Sequence, residues 1–152
     1  MNMRITKIII SVGLFVMLMG TAVQAQDYNV DAKIPFSFFV SNVLMPVGEY
    51  DVTKLNIGNG VFRIRDSEAK NAVAQLVMPV SRQKAPTETM LIFNRYQENG
   101  GEVSYFLSQI WFEGVNTGYE FLKYRLERET AKRAANRDII AVVIPTVKNR
   151  AD

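Results

Sequence analysis

The sequence predicts a mainly β domain: an antiparallel meander forming a β-sandwich or small barrel, with one C-terminal α-helix packed on it. Three observations predict it. From Met90 to Phe112, two runs rich in aromatic and β-branched residues flank Asn99-Gly100-Gly101, whose residues tolerate the positive φ angles of a tight hairpin turn. Upstream, four further runs show apolar residues at period two and are separated by Pro, Gly, Asn and Asp. Downstream, good helix formers dominate between Gly118 and Ala135, and no proline interrupts them.

The hairpin organises the rest. With a two-residue loop at Asn99 and Gly100, Phe93 stands opposite Phe106 and Tyr96 opposite Val103. One face then carries Met90, Ile92, Tyr96, Val103, Tyr105 and Leu107, and the other Leu91, Phe93, Phe106, Ile110 and Phe112, because strand side chains alternate. Both faces are apolar, so the hairpin is expected to be covered on both sides. A three-residue loop changes the partners and leaves that expectation standing.

Residues 1–25 read as a cleaved signal peptide. Arg4 and Lys7 precede an apolar run from Ile8 to Val23, and Val23-Gln24-Ala25 offers a peptidase site. The run is shorter than the roughly 20 residues that span a bilayer, so no stable membrane span is expected after processing. The expected location is exported, either periplasmic or extracellular. The whole chain has 18 basic and 15 acidic residues. Losing Arg4 and Lys7 with the leader leaves sixteen against fifteen, a net charge near +1, so nucleic acid is not an expected partner. The absence of cysteine excludes disulfides, thiol catalysis and thiolate metal sites.

Residues 26–32 are polar and read as a flexible lead-in to a β domain spanning 33–116. Its first strand, Lys33 to Val40, turns Ile34, Phe36, Phe38 and Val40 to one side, with Pro35 suited to an edge. Met45-Pro46-Val47-Gly48 fits a type I turn into the strand Glu49 to Leu55, where Tyr50 and Val52 face inward. Gly58-Asn59-Gly60 signals a second hairpin, returning into Val61 to Arg65 with Phe62 and Ile64 inward. After a polar turn from Asp66 to Asn71, the strand Ala72 to Val80 places Ala72, Ala74, Leu76, Met78 and Val80 on one face. Residues Ser81 to Thr87 are a surface loop. Thr117-Gly118-Tyr119-Glu120 resembles a capping box and opens a charged helix over 117–136, with Leu122 and Leu126 expected to cover one face of the hairpin. In the tail, 137–152, Ile139 to Ile144 is apolar enough to add a last strand.

Taken together, Ile34-Pro35-Phe36-Ser37-Phe38, Met45-Pro46-Val47-Gly48-Glu49-Tyr50, Phe93-Asn94-Arg95-Tyr96 and Tyr105-Phe106-Leu107-Ser108-Gln109-Ile110-Trp111 resemble a group of short exported bacterial proteins with no assigned function. The likeness runs from about Lys33 to Thr130 and includes the charged Glu127-Arg128-Glu129. It implies a β-rich domain behind a signal peptide and carries over no catalytic residue.

Chemistry-bearing side chains are few. Histidine is absent, which removes the commonest general base near neutral pH and a principal metal ligand. Asp66-Ser67-Glu68, with Asn71, is the nearest approach to a calcium loop, and it lacks the EF-hand glycine, so a polar turn is the preferred reading. Glu102 and Glu113 flank the strand after the hairpin turn at opposite ends, too far apart for a glycosidase pair, and Glu49, Asp51 and Glu98 fall in turns or on wet faces. Phe39, Tyr50, Phe62, Tyr96, Tyr105, Trp111 and Phe112 can either line an apolar ligand pocket or simply pack. Arg63, Arg65 and Arg95 suggest a basic strip, and Lys123, Arg125, Arg128, Lys132, Arg133 and Arg137 a partly basic helix steadied by Glu129 with Arg133. The sequence assigns no catalytic, cofactor-binding or metal-ligating residue and implies no cofactor. The expected function is a non-enzymatic binding or envelope-structural β domain; the sequence does not identify the partner, for which a protein and a small apolar ligand are both open. The alternatives are a carrier of a small apolar ligand and a carboxylate-type hydrolase.

Overall fold

The computed structural model describes residues 28–55 and 60–145. The expected leader, the hairpin tip at Gly58-Asn59 and the end of the tail lie outside the described residues. Within them run ten strands: β1 (Asn29–Ile34), β2 (Phe38–Val40), β3 (Val43–Met45), β4 (Gly48–Leu55), β5 (Val61–Asp66), β6 (Ala72–Ser81), β7 (Thr89–Glu98), β8 (Val103–Trp111), β9 (Thr117–Phe121) and β10 (Ala134–Ile144). A helix, α1 (Arg125–Arg133), sits between β9 and β10.

The expected β architecture with a C-terminal helix is what the chain adopts. β1, β4, β5 and β6 are joined in antiparallel ladders. β6 then changes sides: Ala72 to Leu76 pair with β5, and Val77 to Ser81 pair with β9. Strands that switch layers in this way make the corners of folded sheets. From β9 the sheet continues through β8 and β7 to β10. β7, β8 and β9 follow one another, while β10 returns by way of α1 to lie beside β7, which is a Greek key. The β2–β3 hairpin joins the edge of β8 that β9 leaves free, through a parallel pairing of Phe39 with Phe106. β1 and β10, the two ends of the sheet, approach without a ladder, so the sheet is not closed into a barrel.

The core lies between the two halves. Tyr50, Val52, Phe62 and Ile64 from β4 and β5 face Leu91, Phe93, Ile110 and Phe121 from β7, β8 and β9, with Phe38, Val40 and Met45 filling one end. Ring pairs tie the layers: Phe38 lies 5.1 Å from Tyr50 and 5.4 Å from Phe93, and Phe62 lies 5.2 Å from Tyr119, centroid to centroid. Each such fully buried side chain contributes roughly 1.5–3 kcal/mol by leaving water.

Several boundaries differ from expectation. The lead-in is ordered from Asn29 onward as β1, with Ala32 and Ile34 buried and Asn29, Asp31 and Lys33 exposed. Its apolar side chains are small, which hid the alternation. The strand expected over Lys33 to Val40 is broken at Pro35, which ends β1, and resumes as β2. In β6 the face carrying Leu76 and Met78 is the exposed one, and Gln75 and Val77 point inward. Ladder pairing of Phe62 with Gln75 and Ile64 with Val73 imposes this, because directly opposed residues share a face.

The central hairpin has a three-residue loop. Gly101 takes φ +84° and donates its amide to the Glu98 carbonyl, and the Glu98 amide donates to the Glu102 carbonyl. Phe93 therefore opposes Leu107, and Asn94 opposes Phe106. A bulge at Ser108 shifts the register again, so that Leu91 meets Ile110. Phe106 and Leu107 have exchanged the faces expected of them, yet the hairpin is covered on both sides. Leu91, Phe93, Leu107 and Ile110 belong to the main core, while Tyr96 and Phe106 are buried on the outer face beneath Phe39 and α1.

The helix is shorter than expected. Thr117 to Phe121 form β9 instead of a capped first turn, since Tyr119 and Phe121 alternate into the core and outweigh local helix propensity. Leu122 ends up 38% exposed and Leu126 half-buried, so the expected leucine docking is replaced by Glu127 and Thr130, the buried residues of α1. The apolar tail does supply a last strand, β10, laddered to β7 over most of its length.

Candidate functional site

The aromatic residues that suggested a ligand pocket are largely spent on one another. Phe39 stacks on Phe106 at 5.0 Å, Tyr96 meets Phe106 edge-on at 5.6 Å, and Tyr105 stacks on Phe36 at 4.1 Å. Trp111 is buried beneath the Arg82 guanidinium, 3.9 Å from the ring centroid, and donates its Nε1–H to Gln109. Among the surface clefts lined by described residues, two lie at opposite ends of the β4–β5 pair, and another, about 310 Å³, lies at the start of α1 between Asn42, Arg125, Leu126 and Glu129.

The first cleft, about 290 Å³, gathers the carboxylates of Glu49, Asp66 and Glu68 around Tyr50 and Lys70. It contains the sequence's calcium candidate. Asp66, however, is consumed by the turn: its Oδ1 accepts the Lys70 amide at 2.8 Å, and its Oδ2 accepts the backbone and side-chain N–H of Asn71 at 2.9 and 2.8 Å. Desolvation pushes its pKa up, but these donors and the charge of Lys70 outweigh it and leave the carboxyl below its ordinary range. A general acid for glycoside hydrolysis needs the opposite shift. Glu68 is held by Lys70, and Tyr50 donates its hydroxyl to the Pro46 carbonyl, its pKa raised by burial and by Asp66. Among the described residues, no three His, Cys, Asp or Glu side chains converge as a metal site.

The second cleft, about 260 Å³, is lined by Tyr28, Asn29, Thr53 and Lys54 at the other end. Lys54 Nζ donates to Tyr119 Oη at 2.7 Å and lies 4.5 Å from the Tyr119 ring centroid and 5.0 Å from that of Tyr28. Behind them, Tyr28 packs on Phe112 at 4.6 Å. The Lys54 amide donates to the Tyr28 carbonyl, which fixes Tyr28 at the start of β1. Burial raises the Tyr28 pKa, as does Tyr119, while the Lys54 charge opposes them. Lys54 makes no ion pair among the described residues. A cation held over two aromatic faces can receive the anionic end of a ligand whose body is apolar. Sequence reasoning missed this site because Tyr28 was assigned to the flexible lead-in and Tyr119 to a helix.

The remaining candidates are separated by the fold. Glu102 and Glu113 stand beyond the two ends of β8, and the Glu113 amide donates to Thr89 Oγ1. Arg63 and Arg65 lie on β5, but Arg95 lies on β7 and pairs with Asp138 at 3.0 Å, so no single basic strip forms. Arg63 faces Asp51 at 3.6 Å. Within the helix, Glu129 pairs with Arg125 at 2.7 Å instead of with Arg133, which reaches Glu98. The buried helix carboxylate is Glu127, 4% exposed, accepting Asn94 Nδ2 at 2.8 Å and the Tyr96 hydroxyl at 3.0 Å. It is engaged in holding α1 to β7. Compared with known protein families, curated proteins and solved structures, the chain matches none.

Proposed function

We propose that this chain acts, after export to the periplasm or beyond, as a non-enzymatic β domain that works by binding a protein partner or as envelope structure. The observation that supports this reading most is the employment of its carboxylates. Asp66 satisfies three donors of its own turn and Glu127 two donors of β7, so each is occupied in holding the fold. The resemblance to short exported bacterial proteins and the peptidase-like Val23-Gln24-Ala25 support the export. Native mass spectrometry of the protein recovered from its host is the test. The expected result is a mature terminus at Gln26 and a co-purifying protein; an intact Met1 on the exported protein overturns cleavage of the leader. Turnover of glycan, ester or peptide substrates that is lost in a Glu49→Gln, Glu68→Gln variant overturns the non-enzymatic reading.

A second reading, a carrier of a small apolar ligand, draws on the Lys54 cleft. A lysine over the Tyr28 and Tyr119 rings suits a ligand with an anionic head and an apolar body. Under this reading a bound small molecule survives purification, and Lys54→Met releases it while the fold is retained.

A further inference from the structure

α1 crosses the outer face of the sheet above Asn94 and Tyr96, and what it leaves uncovered there is apolar and basic. Ladder pairing carries that face across the strands, because directly opposed residues share a face. To one side of the helix, Ile139 opposes Asn94 and Val143 opposes Met90. To the other, Leu44 opposes Phe39, which stacks on Phe106. Farther along the same face Gln109 opposes both Ile92 and Glu120, and Glu120 opposes Met78. Leu122 follows two residues after Glu120 and donates its amide to the Leu76 carbonyl. Six of the eight large apolar side chains exposed among the described residues therefore lie on one face: Leu44, Leu76, Met78, Leu122, Ile139 and Val143. Met78 is 58% and Ile139 71% exposed, so these are open tips and not the margin of the core. The opposite layer is unlike it, since outward from β1, β4 and β5 Lys33 opposes Glu49, Asp31 opposes Asp51 and Thr53 opposes Arg63.

The same face holds bases without matching carboxylates. Arg128 and Lys132 are exposed on α1 and make no ion pair among the described residues. Arg137, over the Tyr96 ring at 5.3 Å, makes none either. The acids of this face are engaged: Glu127 is buried and Glu129 pairs with Arg125 at 2.7 Å, which leaves the half-buried Glu120. Aliphatic tips scattered among unpaired bases match the surface of an anionic bilayer, where phosphates receive the bases and the acyl boundary receives the tips without a shaped pocket. A second copy is a poorer match, because a two-fold contact sets the same bases against one another. We propose that this outer face docks the domain on an anionic lipid surface. Among the described residues no helix is long and apolar enough to cross a membrane, so the domain lies on the bilayer by α1 and its two apolar shoulders. This inference stands apart from the partner and the export proposed above.

The chain has no cysteine, so a polarity-sensitive dye on a single introduced cysteine reports which face meets lipid. With vesicles of equal phosphatidylglycerol and phosphatidylcholine, dyes on Met78→Cys and Ile139→Cys are expected to shift to the blue, and a dye on Lys33→Cys in the opposite layer to stay unchanged. Vesicles of phosphatidylcholine alone are expected to bind several-fold less. Arg128→Gln and Lys132→Gln are each expected to weaken binding roughly 5-fold, the worth of one base near an anionic surface. A leader still attached adds the same to every variant and so does not imitate these differences. Equal binding to both kinds of vesicle, equal dye shifts on the two layers, or unchanged affinity in the glutamine variants overturns the proposal. So does a blue shift at Met78→Cys that a second copy or a co-purifying protein produces without vesicles.

Discussion

The Tyr96 hydroxyl donates a 3.0 Å hydrogen bond to the Glu127 carboxylate, joining the outer face of β7 to the underside of α1. Both residues are buried, and Asn94 supplies a second donor to the same oxygen. A short helix has little stability alone, so contacts of this kind decide whether it docks. Tyr96→Phe leaves the buried carboxylate with one protein donor fewer and is expected to cost about 1–3 kcal/mol. Urea denaturation is expected to show a lower midpoint with an unchanged slope. An unaltered midpoint means that the bond does not anchor the helix.

The same pair predicts an alkaline limit. Burial, followed by the charge and hydrogen bond of Glu127, pushes the Tyr96 pKa up to about 12 from its ordinary 10.0, while Arg137 opposes the shift. A phenol whose folded pKa is raised keeps its proton in the native state after the unfolded chain has released its own. Its contribution is therefore complete below pH 10 and is lost as pH rises from 10 toward 12. Tyr28 and Tyr50, also raised, act in the same direction. Stability measured across that window is expected to fall more steeply for the wild type than for Tyr96→Phe, and parallel curves contradict the assignment.

Gly118 carries a different kind of constraint. A Cβ added there meets two Trp111 ring atoms at 2.6 Å and the Ile110 carbonyl oxygen at 2.7 Å. The ring is buried and faces Arg82, and the carbonyl belongs to a ladder strand, so neither yields cheaply. Gly118→Ala is expected to cost about 1–3 kcal/mol through overpacking. Trp111 is the only tryptophan, so its fluorescence reports the disturbance directly. Gly100→Ala, where nothing lies within 4 Å, is the control and is expected to be nearly silent.

How much of this was legible depends on the range of the interaction. The alternation of Tyr50 with Val52 and of Phe62 with Ile64 states both strand and inward face, because period-two burial is a local signal. The Phe93 register was not legible from Asn99-Gly100, since a glycine at either position two or three of the loop suits a different turn, and Gly101 took the positive φ. The outward face of β6 was misleading for a stronger reason. Gln75 is 3% exposed because its amide accepts the Ser41 N–H and donates to the Leu122 carbonyl, partners 34 and 47 residues away. Lys54, Tyr28 and Tyr119 meet only after β1, β4 and β9 are assembled, and no spacing in the chain announces them.

Asn42 makes the last such distant contact. The residue at the N-cap position of α1, Tyr124, forms no side-chain cap, and the Asn42 Oδ1 accepts the Leu126 amide at 3.2 Å from the β2–β3 turn. An amide at a helix start is worth about 0.5–2 kcal/mol, whereas an exposed i,i+4 ion pair such as Arg125 with Glu129 is screened by solvent and contributes less. Asn42→Ala is therefore expected to destabilise α1 more than Glu129→Ala does, although Asn42 lies 84 residues away in sequence. Amide hydrogen exchange distinguishes them: Asn42→Ala is expected to accelerate exchange at the start of α1 and to leave Leu91 and Phe93 in β7 protected. Equal acceleration in both variants shifts the role of holding the helix start from Asn42 to the ion pair.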